Sequence, residues 1–131
     1  MTLIPEDIRA RLLANGAEIT TNDDHIPLIK LINPRGRGCW LISEIDPERP
    51  NRVFALSGIN YPTLGYIEFD EPNRRIGRLK LPVERVSNFT AQYTLSVYLF
   101  AARRAKQIIE NETLLAEVKA HLQSINQGGA Q

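Results

Sequence analysis

The stretch CWLISEID, residues 39–46, constrains the fold more tightly than any other. Side chains alternate across a strand, so Cys39, Leu41 and Ile45 fall on one face while Trp40 and Ile42 fall on the other. The middle of such a strand is apolar on both sides, and the sheet that holds it needs a cover over each. Its neighbours also read as strands, over 26–33, 52–59 and 64–70. They are joined by NPRGRG, DPERPN and NYPT, turn-forming stretches too short for a crossover. Neighbouring strands are then antiparallel, in a meander.

The two covers must come from the ends of the chain. Pro5 followed by Glu6 and Asp7 is a helix opening, since proline suits a first turn and acids there complement the dipole. Ile8, Leu12 and Leu13 share a face, and Gly16 is expected to stop the helix. At the other end, Thr90 to Glu110 reads as a helix with Leu95, Tyr98, Leu99, Ala102 and Ile109 on one stripe. Arg103, Arg104 and Lys106 near its end suit the negative pole of the dipole and read as a solvated helix end. After a break near Asn111, Leu115, Val118, Leu122 and Ile125 mark a second short helix, and 128–131 read as a frayed tail. Between sheet and helices, 71–89 read as a turn and one short strand around Leu79 to Val86, placed at an edge by Pro82. The expectation is one α+β domain over 1–127, family-like helix and sheet over 1–89 and helices over 90–127. Its centre is an antiparallel meander of four to five strands, with an N-terminal helix and a C-terminal helical pair.

Composition narrows the function classes. A chain of 131 residues with 43% hydrophobic and 24% charged residues matches a soluble globular domain with a real core. Sixteen Lys plus Arg against fifteen Asp plus Glu leave a formal charge of +1, so no global field draws the chain to nucleic acid or anionic lipid, and such binding needs a local patch. The lone Cys39 cannot form an internal disulfide, and MTLIPEDIR has no basic-then-apolar leader pattern, so a cytoplasmic location is expected. The apolar run from Leu95 to Ala102 falls well short of the roughly 20 residues that span a bilayer, and no membrane partner is expected.

Two sets of residues are candidates for chemistry. Glu44 and Asp46 end one strand, Glu68 and Asp70 end another that runs the same way, so the four carboxylates gather at one end of the sheet. Converging oxygens of this kind suit a hard cation such as Mg²⁺. The same pattern arises wherever a strand passes from core to solvent, and Arg49 and Arg52 stand ready to balance the charge without a metal. The second set is basic: Arg35 and Arg37 in a glycine loop, with Arg74, Arg75 and Arg78, make candidate phosphate contacts for nucleic acid. The familiar catalytic motifs are missing, and Arg78-Leu79-Lys80 lacks the leading Glu of a Glu-x-Lys nuclease strand. His25 and His121 read as ordinary surface residues, and Cys39 beside Trp40 as a small core residue.

Four motifs taken together, LIPEDIRARLLANG (3–16), CWLISEID (39–46), TLGYIEF (63–69) and LPVERV (81–86), resemble a bacterial family of unknown function. Its members are small proteins often encoded on plasmids and on conjugative or integrated elements. The resemblance spans Leu3 to Phe89 and matches at Trp40, Glu44, Asp46, Leu64, Gly65, Tyr66, Glu84 and Arg85, all expected to be architectural, with Trp40 and Tyr66 anchoring the core. Members usually carry an acid before the Leu-Gly-aromatic and an Asp after Glu-Arg, where this chain has Thr63 and Val86, which weakens a carboxylate-centred activity. The resemblance implies no activity of its own. The expected function is a non-enzymatic, cofactor-free accessory protein of a mobile element that binds an unidentified protein partner, or a second copy, through the apolar face of the Thr90 to Glu110 helix. The alternatives are nucleic-acid binding through the arginine loops and a divalent-metal hydrolase or nuclease built on the strand-end carboxylates.

Overall fold

The computed structural model describes residues 3–18 and 24–129, for 126–129 the backbone alone. Among the described residues the elements run α1 (Glu6–Ala17), β1 (Ile29–Ile32), β2 (Cys39–Ile45), β3 (Arg52–Ser57), β4 (Thr63–Asp70), β5 (Arg75–Ile76), β6 (Leu81–Pro82), β7 (Glu84–Arg85), α2 (Leu95–Ala105) and α3 (Glu112–Gly129). The chain is α+β, and its strands pair antiparallel throughout. The sheet has seven strands, not the four or five expected. The difference lies in 71–89, where three two-residue strands replace the one strand expected around 79–86. Pro82 stands opposite Arg75 in an edge strand, where a missing N–H costs no ladder bond.

Strand order forces the sheet to curl. The order is β6-β5-β4-β3-β2-β1-β7, so β6 and β7 are opposite edges, yet Val83 alone separates them in the chain. A flat sheet of this order would hold its edges about 29 Å apart at roughly 4.8 Å per strand. The step from Pro82 to Glu84 spans only about 7 Å. The sheet therefore closes into a nearly complete barrel, β7 pairing with β1 through Arg85 opposite Leu31 and Glu84 opposite Ile32.

Both faces of β2 are covered. Inside the barrel, Trp40, Ile42 and Ile45 pack with Leu31, Val53, Phe69 and Ile76, and with Leu3, Ile4 and Leu12 from the N-terminal segment and α1. Ile4 and Leu12 have no exposed surface, and each contributes about 2 kcal/mol by burial. Outside, Leu41 and Leu56 pack under Leu95, Tyr98 and Leu99 of α2 and Leu115 and Val118 of α3. The expected sandwich is thus half barrel, the inner face of β2 being closed by the far wall as well as by α1.

The expected alternation along β2 fails at one residue. Ile42 stands opposite Ala55 but Glu44 opposite Phe54, so Ser43 is the extra residue of a β-bulge. Beyond it Ile45 joins Trp40 and Ile42 inside, not Leu41 outside, while Glu44 is buried on the outer side beside Phe54. The bulge is where α1 docks. Asn15 Nδ2 donates to the Ser43 carbonyl at 3.0 Å, and Gly16 lies so close that a Cβ there would sit 2.0 Å from the Ile45 carbonyl oxygen. Gly16 is therefore part of α1 and a contact residue, and the helix ends one residue later than expected, at Ala17.

α2 is shorter than expected because its start is capped by a distant group and its end falls at a residue in the left-handed region. Asp24 accepts the Ser96 N–H at 2.9 Å and the Ser96 hydroxyl, capping the helix from outside its own sequence. Lys106 ends it in the left-handed region at φ 64°. The stripe expected to meet a partner is buried within the chain, Leu95, Tyr98, Leu99 and Ala102 all lying in the interior. α3 runs to Gly129, so the expected tail over 128–131 is helical at its start, and its last two residues lie outside the described residues. Among the described residues no helix is long and apolar enough to cross a membrane.

Candidate functional site

The barrel has two ends, and the candidate residues divide between them. β2 starts and β3 finishes at the first end, with the β1–β2 loop (33–38) and the β3–β4 loop (58–62). β2 finishes and β3 starts at the second, with the loops 46–51 and 71–74.

All four expected carboxylates stand at or near the second end. Asp46 Oδ1 accepts the Glu48 N–H at 3.0 Å, and Asp70 accepts from Asn73 Nδ2 at 2.8 Å and from its N–H at 3.3 Å, so both aspartates brace turns. Glu44 is buried under the outer layer, whereas Glu68 is exposed opposite Arg52. Among the described residues no three His, Cys, Asp or Glu side chains gather in a way that holds a metal ion. Glu68 and Asp70 instead share a cleft of about 420 Å³ with Arg75, Arg78 and Lys80. Two carboxylates stand there among three cations, a setting that disfavours a bound metal cation. Arg52 lies 4.6 Å from the centre of the Tyr66 ring, which meets Phe54 edge-on at 5.1 Å. Tyr66 is 47% exposed, so it caps the outer face and does not anchor the core as Trp40 does.

Glu71, which the sequence reading left as a turn residue, ties this end together. Its carboxylate accepts the Ile4 N–H at 2.8 Å and pairs with Arg9, fixing the N-terminal segment over the barrel mouth. Elsewhere His25 Nε2 lies 3.3 Å from Glu18 Oε2, half-buried, while His121 is exposed on α3.

The loops of the first end are chemically one-sided, although Glu84 stands opposite Ile32 on the strand beside them. These loops and the adjoining segment 103–108 carry Arg35, Arg37, Arg103, Arg104 and Lys106, and no Asp or Glu. All five cations are exposed, and among the described residues none is within ion-pair distance of a carboxylate. The loops are held in shape. Asn33 Oδ1 accepts the Arg35 N–H at 2.9 Å and Asn33 Nδ2 donates to the Arg37 carbonyl at 3.0 Å, so Arg35 and Arg37 project from a braced turn. Gly38, at φ 138°, lets the loop turn onto Trp40, whose ring would meet a Cβ at 2.4 Å. Ile108 packs on Gly58, which brings the chain after α2 against the β3–β4 loop.

The result is a cleft of about 420 Å³ lined by Arg37, Cys39, Gly58, Asn60, Pro62 and Lys106. Beside it Arg103 Nε donates to the Pro62 carbonyl at 3.1 Å, with its guanidinium 5.0 Å from the centre of the Tyr61 ring. Burial pushes the Cys39 thiol above its ordinary value, Lys30 opposing and Glu110 adding to the effect. The two groups of expected arginines are thus kept apart: Arg35 and Arg37 here, Arg74, Arg75 and Arg78 on the opposite half with the acids. Tyr61, Arg103 and Lys106 were not singled out as site residues. The signal that marks them is the absence of acids from three segments far apart in sequence.

No curated protein and no solved structure matches the chain. A family match extends past Phe89, where the sequence resemblance ended, and takes in α2 and every residue of the basic cleft. Over residues 3–109 the chain belongs to the family described as protein of unknown function (DUF2958).

Proposed function

We propose that this protein is a non-enzymatic binding module whose ligand is nucleic acid, held at the basic end of the barrel. One observation carries the reading: five exposed cations stand at that end on two segments, 33–38 and 103–108, that carry no acid of their own, and among the described residues none of the five is ion-paired with a carboxylate. With a formal charge of only +1 over the whole chain, this local concentration is the patch that a neutral protein needs to attract phosphates. Arginine forks match phosphate oxygens two at a time, and Lys106 adds a point charge at the cleft wall. A braced hairpin presenting Arg35 and Arg37 limits the ordering cost of contact.

The protein-partner reading has less to draw on, since the α2 stripe that would supply the surface is covered by β3 and α3. A metal hydrolase has less still, with guanidiniums beside Glu68 and Asp70. The setting that the family resemblance implies, a bacterial mobile element and a cytoplasmic accessory protein, is one in which a nucleic-acid ligand is at hand.

The test is binding of a fluorescent oligonucleotide followed by anisotropy across a salt series. Three to five phosphate contacts give a slope of log affinity against log salt of roughly −2 to −4. The variant Arg35→Ala/Arg37→Ala loses affinity and flattens the slope by about one unit per lost contact. Binding that is absent, or that ignores salt, ends the proposal.

A further inference from the structure

The geometry points to a single strand as the form of nucleic acid taken, with Tyr61 as the platform on which one base stacks and Arg103 as the group that positions it. This inference rests on the nucleic-acid reading and adds what the site selects. Tyr61 is 63% exposed, the most open aromatic ring among the large hydrophobic side chains described, and it stands between Asn60 and Pro62, both in the wall of the basic cleft. An exposed ring on a hairpin is ordinarily free to swing. Here the Arg103 guanidinium lies over it at 5.0 Å, and Arg103 is itself pinned by donating to the Pro62 carbonyl at 3.1 Å. The ring is held in place before any ligand arrives, which lowers the entropy cost of stacking on it.

The other exposed aromatics lack this setting. Tyr66 lies mid-sheet against Phe54 and Arg52, and Phe100 lines a largely apolar groove between α2 and α3. Tyr61 alone of the three stands at the wall of the cleft that Arg37 and Lys106 line. Bases in a duplex have their faces occupied by their neighbours, whereas an unpaired base offers a free face to a ring. The cleft of about 420 Å³ falls within the range of small-ligand pockets, so it has room for a nucleotide's sugar and phosphate between Arg37 and Lys106 while the base lies at the rim. The competing reading is that Tyr61 does no more than shield the Arg103 stem. It predicts a slight change in stability and none in selectivity.

The experiment compares a labelled oligothymidine with a mixed-sequence duplex of equal length at one ionic strength, using the full chain and the variants Tyr61→Ala, Tyr61→Phe and Arg103→Gln. The full chain prefers the single strand. Tyr61→Ala loses roughly tenfold on the single strand, the scale of one base–aromatic stack, and little on the duplex. Tyr61→Phe keeps the preference, and Arg103→Gln weakens it. Thermal melting of each variant separates misfolding from loss of the platform, and Tyr61→Phe remains informative if Tyr61→Ala fails to fold, because a ring that acts only through its hydroxyl loses selectivity in that variant. Equal affinity of the full chain for both forms, an unchanged Tyr61→Ala, or equal losses on both forms overturns the inference and leaves the nucleic-acid reading standing. Failure of the full chain to bind either form, or tighter binding to phosphatidylglycerol vesicles than to either, overturns both.

Discussion

At the second end of the barrel, where β2 finishes, charge serves the fold; at the first, where β2 starts, it does not. The loops 46–51 and 71–74, with Asp70 before the latter, hold Asp46, Glu48, Asp70 and Glu71 against Arg49 and Arg74. Three of those acids hold named backbone groups: Asp46 and Asp70 brace turns and Glu71 anchors the N-terminal segment. The first end is plugged by Trp40, which is almost fully buried and needs no polar anchor. Its turn is organised by the neutral Asn33, and its cations are left with no such duty save Arg103. A polar group consumed by the backbone is a poor ligand, and one the fold does not use is available to something else. The net charge of +1 conceals this division, because it averages loops that carry cations alone with loops in which acids outnumber cations.

The sharpest way to break the comparison is at Gly16. Helix propensity alone makes Gly16→Ala stabilising by about 1 kcal/mol. The added Cβ, 2.0 Å from the Ile45 carbonyl oxygen, forces α1 off the bulge instead. The net result is a loss of about 3 kcal/mol in urea unfolding, and a gain would remove α1 docking as a constraint on this end. Next comes Glu71→Ala, which strips the acceptor from the buried Ile4 N–H and from Arg9. A loss of about 2 kcal/mol is expected, whereas Arg35→Ala/Arg37→Ala at the opposite end stays within about 0.5 kcal/mol of the parent. Equal losses at the two ends would erase the distinction.

Lys106→Gly separates the roles within one residue. Lys106 is held at φ 64°, a conformation that glycine adopts without a Cβ penalty. Stability rises by about 0.5 to 1 kcal/mol by thermal melting, while affinity for the oligonucleotide falls. A stability drop would show that the lysine side chain supports the fold. The smallest effect concerns Cys39, whose thiol burial holds protonated beyond the ordinary range. Its alkylation by iodoacetamide is slower than that of an unfolded control at the same pH. Because the unfolded thiol loses its proton first, the associated stability is complete below the ordinary thiol value and declines as pH rises through the raised one. Reaction as fast as in the control would mean that the cleft floor is open.

Much of the sheet was legible. The apolar middle of CWLISEID announced covers on both sides, and NPRGRG, DPERPN and NYPT marked hairpins that the structure contains at those places. Ser43 was not legible as a bulge, because strand alternation presumes an unbroken pleat and one extra residue leaves no mark on composition. Nor were β5, β6 and β7, since two residues cannot display a period of two. Gly16 looked like a helix stop because glycine often is one; its true constraint is a carbonyl 29 positions away, at Ile45. For the site, Arg35 and Arg37 were visible as a pair, whereas Arg103 and Lys106 looked like the solvated end of a helix until α2 was seen to finish over the β3–β4 loop.

By itself the sequence determined the segments of the first four strands and of the three helices, and that the second strand would be buried on both sides, because residue type and spacing act locally. Tertiary structure alone decided that the sheet closes on itself through Val83 and that cations from 33–38 and 103–108 share one cleft. Closure and convergence depend on contacts between residues tens of positions apart, and no window of sequence contains both partners.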